Sequence, residues 1–218
     1  MTVFFKRFIK LIFGLFLYGL GIVITMKANL GFAPWEVFHW GLGNTIGISV
    51  GTATILTGLF IGILAALLGE KLGLGTLLNM ILIGIFMDLL LALNIIPQTK
   101  GLITGAAVMI TGLFTIAFGS YFYINSAFGA GPRDSLMVAM KRKTKLPIGI
   151  CRGILEVTVV FTGFILGGPV GIGTILAAFG IGFCIQIVFS LMKFEATAVK
   201  HDTINLKQLF NVRYFKNN

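Results

Sequence analysis

A shift of 98 residues lays the second half of this chain over the first without a gap, and this duplication limits the available folds more than any other feature. Gly14, Leu15, Phe16 and Gly21 fall on Gly112, Leu113, Phe114 and Gly119. Gly31 and Pro34 fall on Gly129 and Pro132, and Gly51 on Gly149. Further along, Gly69, Gly73, Gly75, Thr76 and Gly84 fall on Gly167, Gly171, Gly173, Thr174 and Gly182. Solenoid repeats run to roughly 20–50 residues, so units this long are whole halves of a protein. Since 57% of the residues are hydrophobic and only 11% charged, each unit reads as a membrane half, an architecture common among transporters.

A hydrocarbon core of about 30 Å is crossed by roughly 18 or more apolar residues in a helix. Six stretches qualify, at about 11–26, 49–68, 75–96, 101–124, 148–166 and 173–192, three in each half. With an odd number of spans per unit, the second unit enters the bilayer from the opposite side, which makes the copies inverted. The expected fold is therefore all-α: a polytopic membrane protein of about six transmembrane helices in two inverted three-helix repeats, with short broken or re-entrant helices. The repeats occupy 1–97 and 98–193, followed by a basic tail at 194–218.

The cations agree with this layout. Lys6, Arg7 and Lys10 precede the first span, and Lys71 lies between the second and third. Arg133, Lys141, Arg142, Lys143 and Lys145 lie between the fourth and fifth, and Lys193, Lys200, Lys207, Arg213 and Lys216 follow the last. All of these fall on one side, which leaves Lys27 and Lys100 on the other, with Arg152 uncounted just inside the fifth span, and places both termini in the cytoplasm. A competing layout turns the segments after Pro34 and Pro132 into full spans, giving four crossings per half and parallel copies. Those segments, 34–47 and 132–145, are short for a crossing and the second is charged, so they read as re-entrant or interfacial.

Topology also explains the net charge of +10, which in a soluble chain would suggest nucleic acid. The run Lys141-Arg142-Lys143-Thr144-Lys145 reads as an anchor against anionic lipid. The N-terminus lacks a small-x-small cleavage site, and the first span has a counterpart in the fourth, so it reads as retained rather than as a signal peptide. Cys151 and Cys184 both lie within spans, and His39 and His201 stand alone. Neither H-E-x-x-H, a Walker A loop nor a dinucleotide fingerprint occurs. No enzyme, cofactor or metal site is expected.

The recurrent element Gly31-Phe32-Ala33-Pro34-Trp35-Glu36, matched by Gly129-Ala130-Gly131-Pro132-Arg133-Asp134, reads as a break followed by a helix start. Glycine permits non-helical backbone, and proline suits the first helical turn. Two symmetry-related helix N-termini present free N–H groups, so Pro34, Glu36, Pro132 and Asp134 are candidate substrate-binding positions between the halves. The second shared element, Gly73-x-Gly75-Thr76 and its copy Gly171-x-Gly173-Thr174, reads as a structural hairpin with a capping threonine. Ionisable groups inside apolar spans are expensive. Asp88, whose counterpart is Gln186, is a candidate coupling group with Gln186 as a polar ligand, the alternative being a capped Asp at a helix interface. Arg152 and Glu156, four residues apart, share a helix face and read as a self-neutralising pair that also suits ion coupling. Asn79, Thr54, Thr57, Thr158 and Thr162 are further path-lining candidates, and Gly58 with Gly62 and Gly149 with Gly153 suit close helix packing.

The first span, the Gly-x-x-Pro-x-acid break and the later Gly-x-Gly-Thr helix start, duplicated over Phe8 to Met192, resemble the YczE/YyaS/YitT-type integral membrane proteins of bacteria. The resemblance implies a multi-pass protein of the bacterial plasma membrane and carries over no functional residue. The leading expectation is a small secondary transporter or exporter of a small solute that can be anionic. Membrane lipids and that small-molecule solute are the expected partners, with a homo-oligomer or membrane partner protein left open. The alternatives are an accessory protein that binds a membrane complex or lipid, and the substrate-capture subunit of an ATPase-driven uptake system.

Overall fold

The computed structural model describes residues 2–199 and 201–204. Among them, α1 (Thr2–Lys27), α2 (Pro34–Ile46), α3 (Val50–Leu67) and α4 (Leu74–Leu93) form the first half. The second half holds α5 (Leu102–Asn125), α6 (Pro132–Thr144), α7 (Ile148–Ile165) and α8 (Ile172–Leu191). The helices α6, α7 and α8 begin 98 residues after α2, α3 and α4 and have the same lengths of 13, 18 and 20 residues. The six long helices are apolar enough to cross a membrane. At 13 residues, α2 and α6 reach only about 20 Å and cannot.

The ends of the elements follow local chemistry. Pro34 and Pro132 open α2 and α6, where a missing N–H costs nothing, and each follows a residue in extended conformation. Ser49 caps α3 by accepting the Thr52 N–H. Helix α4 stops at Leu93 because Asn94 turns left-handed (φ 47°), short of the expected Ile96. At the other extreme, α1 begins well before the expected Leu11, since Lys6, Arg7 and Lys10 ride on a helix that outruns its apolar stretch. A two-residue antiparallel pairing joins β1 (Leu72–Gly73) to β2 (Thr203–Ile204), and Asp202 pairs with Arg7 at 2.6 Å. The start of the expected tail thus docks on the bundle, while the rest of its expected basic stretch lies outside the described residues.

Helices α1 and α5 form the spine and run antiparallel. A Cβ on Gly14 would meet the backbone of Gly119 and Tyr123, and one on Gly21 would meet that of Gly112 and Ile116. Gly14 and Gly21 are the counterparts of Gly112 and Gly119, so equivalent glycines exchange partners across the contact. Side chains on both sides of this seam, including Leu15, Ile22, Met87, Ile116 and Tyr123, form the largest buried cluster.

The two recurrent sequence elements dock on each other across the halves. Gly173 N–H donates to Leu30 O at 2.7 Å, and its counterpart Gly75 N–H donates to Phe128 O at 2.8 Å. Gly31 (φ 97°) lies against Gly171 and Thr174, and Gly129 (φ 129°) lies against Gly73 and Thr76. These two positions need glycine twice over, for the left-handed backbone and for the absent Cβ. Thr76 and Thr174 accept the Gly73 and Gly171 N–H groups, each at 3.1 Å, as the expected caps.

One pair of equivalent contacts breaks this symmetry. Helix α3 packs along α4, with Gly51 against the Gly84 carbonyl and Gly58 and Gly62 against Met80. Helices α7 and α8 scarcely touch. Gly149, Gly153 and Gly182 face open space, which corrects the expectation that Gly149 and Gly153 mark a close helix contact.

Candidate functional site

The gap between the halves encloses a cavity of about 350 Å³ lined from all eight helices, within the size range of small-molecule sites. The first turns of α2 and α6 both reach it, through Pro34, Trp35 and Glu36 on one side and Pro132, Arg133 and Asp134 on the other. Their N-termini converge because each Gly-Pro break is pinned by the Gly-x-Gly-Thr hairpin of the opposite half. Tyr18 and Tyr123 come from the α1–α5 spine, Thr54, Thr57 and Asn79 from α3 and α4, and Arg152 and Glu156 from α7.

The charges in the wall are arranged in steps. Arg152 Nε donates to Glu156 Oε1 at 2.7 Å, the self-neutralising pair expected from their spacing. The Arg133 guanidinium stacks on the Trp35 ring with 4.3 Å to the centroid, and its Nη2 lies 3.9 Å from Glu36 Oε1. His39, one turn beyond Glu36, is fully buried, with Nδ1 3.1 Å from Thr54 Oγ1 and 4.0 Å from the same Glu36 oxygen. Burial pushes the Glu36 carboxyl up, with Arg133 opposing, and burial followed by Arg133 holds His39 well below its ordinary range, hence neutral. Asp134 makes no hydrogen bond or ion pair to a side chain among the described residues and is exposed to the cavity. The protein around it raises its carboxyl, opposed by Arg152 and then Arg133. Three carboxylates thus face two guanidiniums, and both guanidiniums already have partners.

Of the expected site residues, Pro34, Glu36, Pro132, Asp134, Arg152 and Glu156 come together here, as do Asn79, Thr54 and Thr57. Asp88 does not. It accepts the Ser49 hydroxyl and, at 2.8 Å, the Gly51 N–H, so it caps α3 and ties that helix to α4. The reading of Asp88 as a coupling group gives way to the capped-aspartate alternative, because α3 starts beside it with unpaired N–H groups. Gln186 is exposed and lies away from the cavity, so it is no ligand there in this state. Thr158 is exposed and Thr162 half-buried, and both bond their own helix backbone.

Sequence reasoning missed Tyr18, His39, Tyr123 and Arg133. The i, i+3 spacing of Glu36 and His39 was the available signal for the histidine, and Arg133 stands inside the recurrent motif, although topology counted it as a loop cation. Nothing in the sequence marked the tyrosines. Within the basic run, Arg142 pairs with Glu70 at 2.9 Å and donates to Leu68 O, which leaves Lys141, Lys143 and Lys145 free to face outward.

The model of a family of unknown function, DUF6198, matches residues 5–190. The chain belongs to that family. Its relatives include YczE of Bacillus subtilis, an uncharacterised membrane protein 35% identical over 181 residues and 82% of each chain. An uncharacterised protein of Haemophilus influenzae is 32% identical over 86% of this chain and 85% of its own. YyaS of Bacillus subtilis, also uncharacterised, is 27% identical over 75% and 82%. No solved structure matches. With a membrane protein among these relatives and six apolar helices of spanning length, the chain is a multi-pass membrane protein.

Proposed function

We propose that the protein is a small secondary carrier for a small polar solute, bound in the cavity between its halves. The observation that carries this reading is the unequal packing of equivalent helices around a charged cavity: α3 and α4 are closed on each other, α7 and α8 are not. A carrier built from inverted repeats exposes its site to one side and then to the other by exchanging the conformations of its halves. The antiparallel α1–α5 spine would be the fixed axis, and the two helix pairs the gates. The open pair is at the end of the bundle that bears the start of α1, where the Arg7 guanidinium meets Ser126 O and Ala127 O. With the termini in the cytoplasm of a bacterial cell, this state faces inward.

Within this reading Glu156 and Arg152 remain the candidates for ion coupling, since Asp88 is occupied as a cap. Lys141, Lys143 and Lys145 suit lipid headgroups at the same end. The test is uptake of labelled amines, amino acids and carboxylates into proteoliposomes by wild type and Gly149→Leu. Leucine at this open position should leave folding intact and prevent α7 from closing on α8. Uptake by wild type that is lost in the variant supports the carrier. Absence of uptake by well-folded wild type, or uptake that survives the variant, overturns it.

A further inference from the structure

Building on the carrier reading, we propose that the second half holds a subsite for the ammonium group of the solute, formed by the Asp134 carboxylate and the Tyr123 hydroxyl beside Gly131. Tyr123 is 3% exposed, and its hydroxyl has no hydrogen-bond partner although it is buried in the cavity wall. An orphaned buried hydroxyl is costly and marks a place where a partner is missing. The Asp134 carboxylate faces the same cavity without a side-chain partner. The point where a Gly131 Cβ would lie is 3.3 Å from Asp134 Oδ2 and 3.5 Å from Tyr123 Oη, so the two oxygens flank the bare face of this glycine, near enough to each other for one small group beside it to touch both.

The first half lacks this arrangement at the equivalent positions. Ala33 replaces Gly131, so a methyl group occupies the point; Thr25 replaces Tyr123 and donates to its own backbone at Ile22 O, 2.7 Å away. Glu36 replaces Asp134 and has Arg133 and His39 beside it. The sign of the ligand follows from what is left over. Arg152 is held by Glu156, and Arg133 by Trp35 and Glu36, so the uncompensated charge is the Asp134 carboxylate. An anion seeking the free N–H groups of the first turn of α6 would meet that carboxylate at the same turn. An ammonium donates to the carboxylate and to the tyrosine oxygen together, as neither an anion nor a neutral apolar group can.

The probes are butylammonium chloride and sodium butyrate, matched in length and opposite in charge, scored by thermal stabilisation of the purified protein in detergent. Butylammonium should stabilise wild type and butyrate should not. Asp134→Asn should weaken the apparent affinity for butylammonium by about tenfold or more. Gly131→Ala should do the same by setting a methyl group against both oxygens, and its fold is secure because Ala33 already holds the same extended backbone (φ −63°, ψ 157°, against −63° and 155° at Gly131). Stabilisation by butyrate alone, by neither probe, or by butylammonium undiminished in Gly131→Ala overturns the subsite. Should Asp134→Asn fail to fold, Gly131→Ala decides. Butylammonium binding without uptake of any solute sinks the carrier and spares the subsite, whereas uptake of other solutes without butylammonium binding does the reverse.

Discussion

Helices α3 and α4 are the sequence counterparts of α7 and α8, yet the first pair is closed and the second splayed. At the closed pair, Gly51 touches Gly84 and its N–H is received by Asp88, while Ser49 donates to the same carboxylate. At the open pair, Gly149 and Gly182 face empty space, Pro147 stands where Ser49 did, and Gln186 stands exposed where Asp88 did. A side chain that accepts two hydrogen bonds makes a stronger latch than an exposed amide. The comparison teaches that equivalent helix pairs carry latches of different strength, so that one pair rests closed and the other open.

The widest separation between the halves is expected at the gate glycines. Gly51→Leu should destabilise the protein by about 3 kcal/mol, because a side chain there has the backbone of α4 in its path. Gly149→Leu should shift stability by no more than about 0.5 kcal/mol. Thermal unfolding of both variants checks the pair, and equal losses would break the comparison. Next, Asp88→Ala should cost about 1–3 kcal/mol by leaving Gly51 N–H and Ser49 without their acceptor, and Gln186→Ala almost nothing, again by thermal unfolding. A smaller contrast lies in the hairpin threonines. Thr76 accepts from Gly73 N–H and also donates to Ala130 O at 2.7 Å, whereas Thr174 makes only the cap contact among the described residues. Thr76→Val should therefore cost about 1 kcal/mol more than Thr174→Val in the same assay.

The pH dependence of ammonium binding sharpens the contrast further. Ammonium needs an ionised Asp134, and the protein around this carboxyl raises it above the usual aspartate range. The butylammonium response should accordingly fade on acidification at a higher pH than for an ordinary aspartate. Arg152, Arg133, Tyr18 and Tyr123 line the same cavity as this carboxyl. Glu36 also faces the cavity and its carboxyl is raised too, so the Glu36→Gln variant should retain the fading and Asp134→Asn should abolish what response remains.

The helix pattern was legible in the sequence because membrane spans announce themselves by length and hydropathy and because prolines and glycines mark their ends. The broken segments were legible as well: Pro34 and Pro132 open helices too short to cross, with Glu36 and Asp134 turned into the cavity. What could not be read was which element meets which. Nothing local says that the Gly31 turn docks on Gly171 of the opposite half, or that Asp88 lies beside Gly51, 37 residues away. Asp88 looked functional because a carboxylate in an apolar span is costly, and the cost is met instead by the start of α3. The tyrosines and His39 escaped notice because their polar tips matter only once the cavity is assembled around them. Membership of DUF6198 names relatives and leaves the site to be argued from its own residues.

The exchange of gates is tested most directly by a disulfide trap. Gly149→Cys with Gln186→Cys, in a background of Cys151→Ala and Cys184→Ala, joins residues that are apart here but whose counterparts Gly51 and Asp88 touch. If α7 and α8 close as α3 and α4 do, oxidation in native membranes should cross-link the pair, and reduction should restore uptake. A pair that is well folded and labelled by thiol reagents yet never cross-links would contradict the exchange, and with it the carrier.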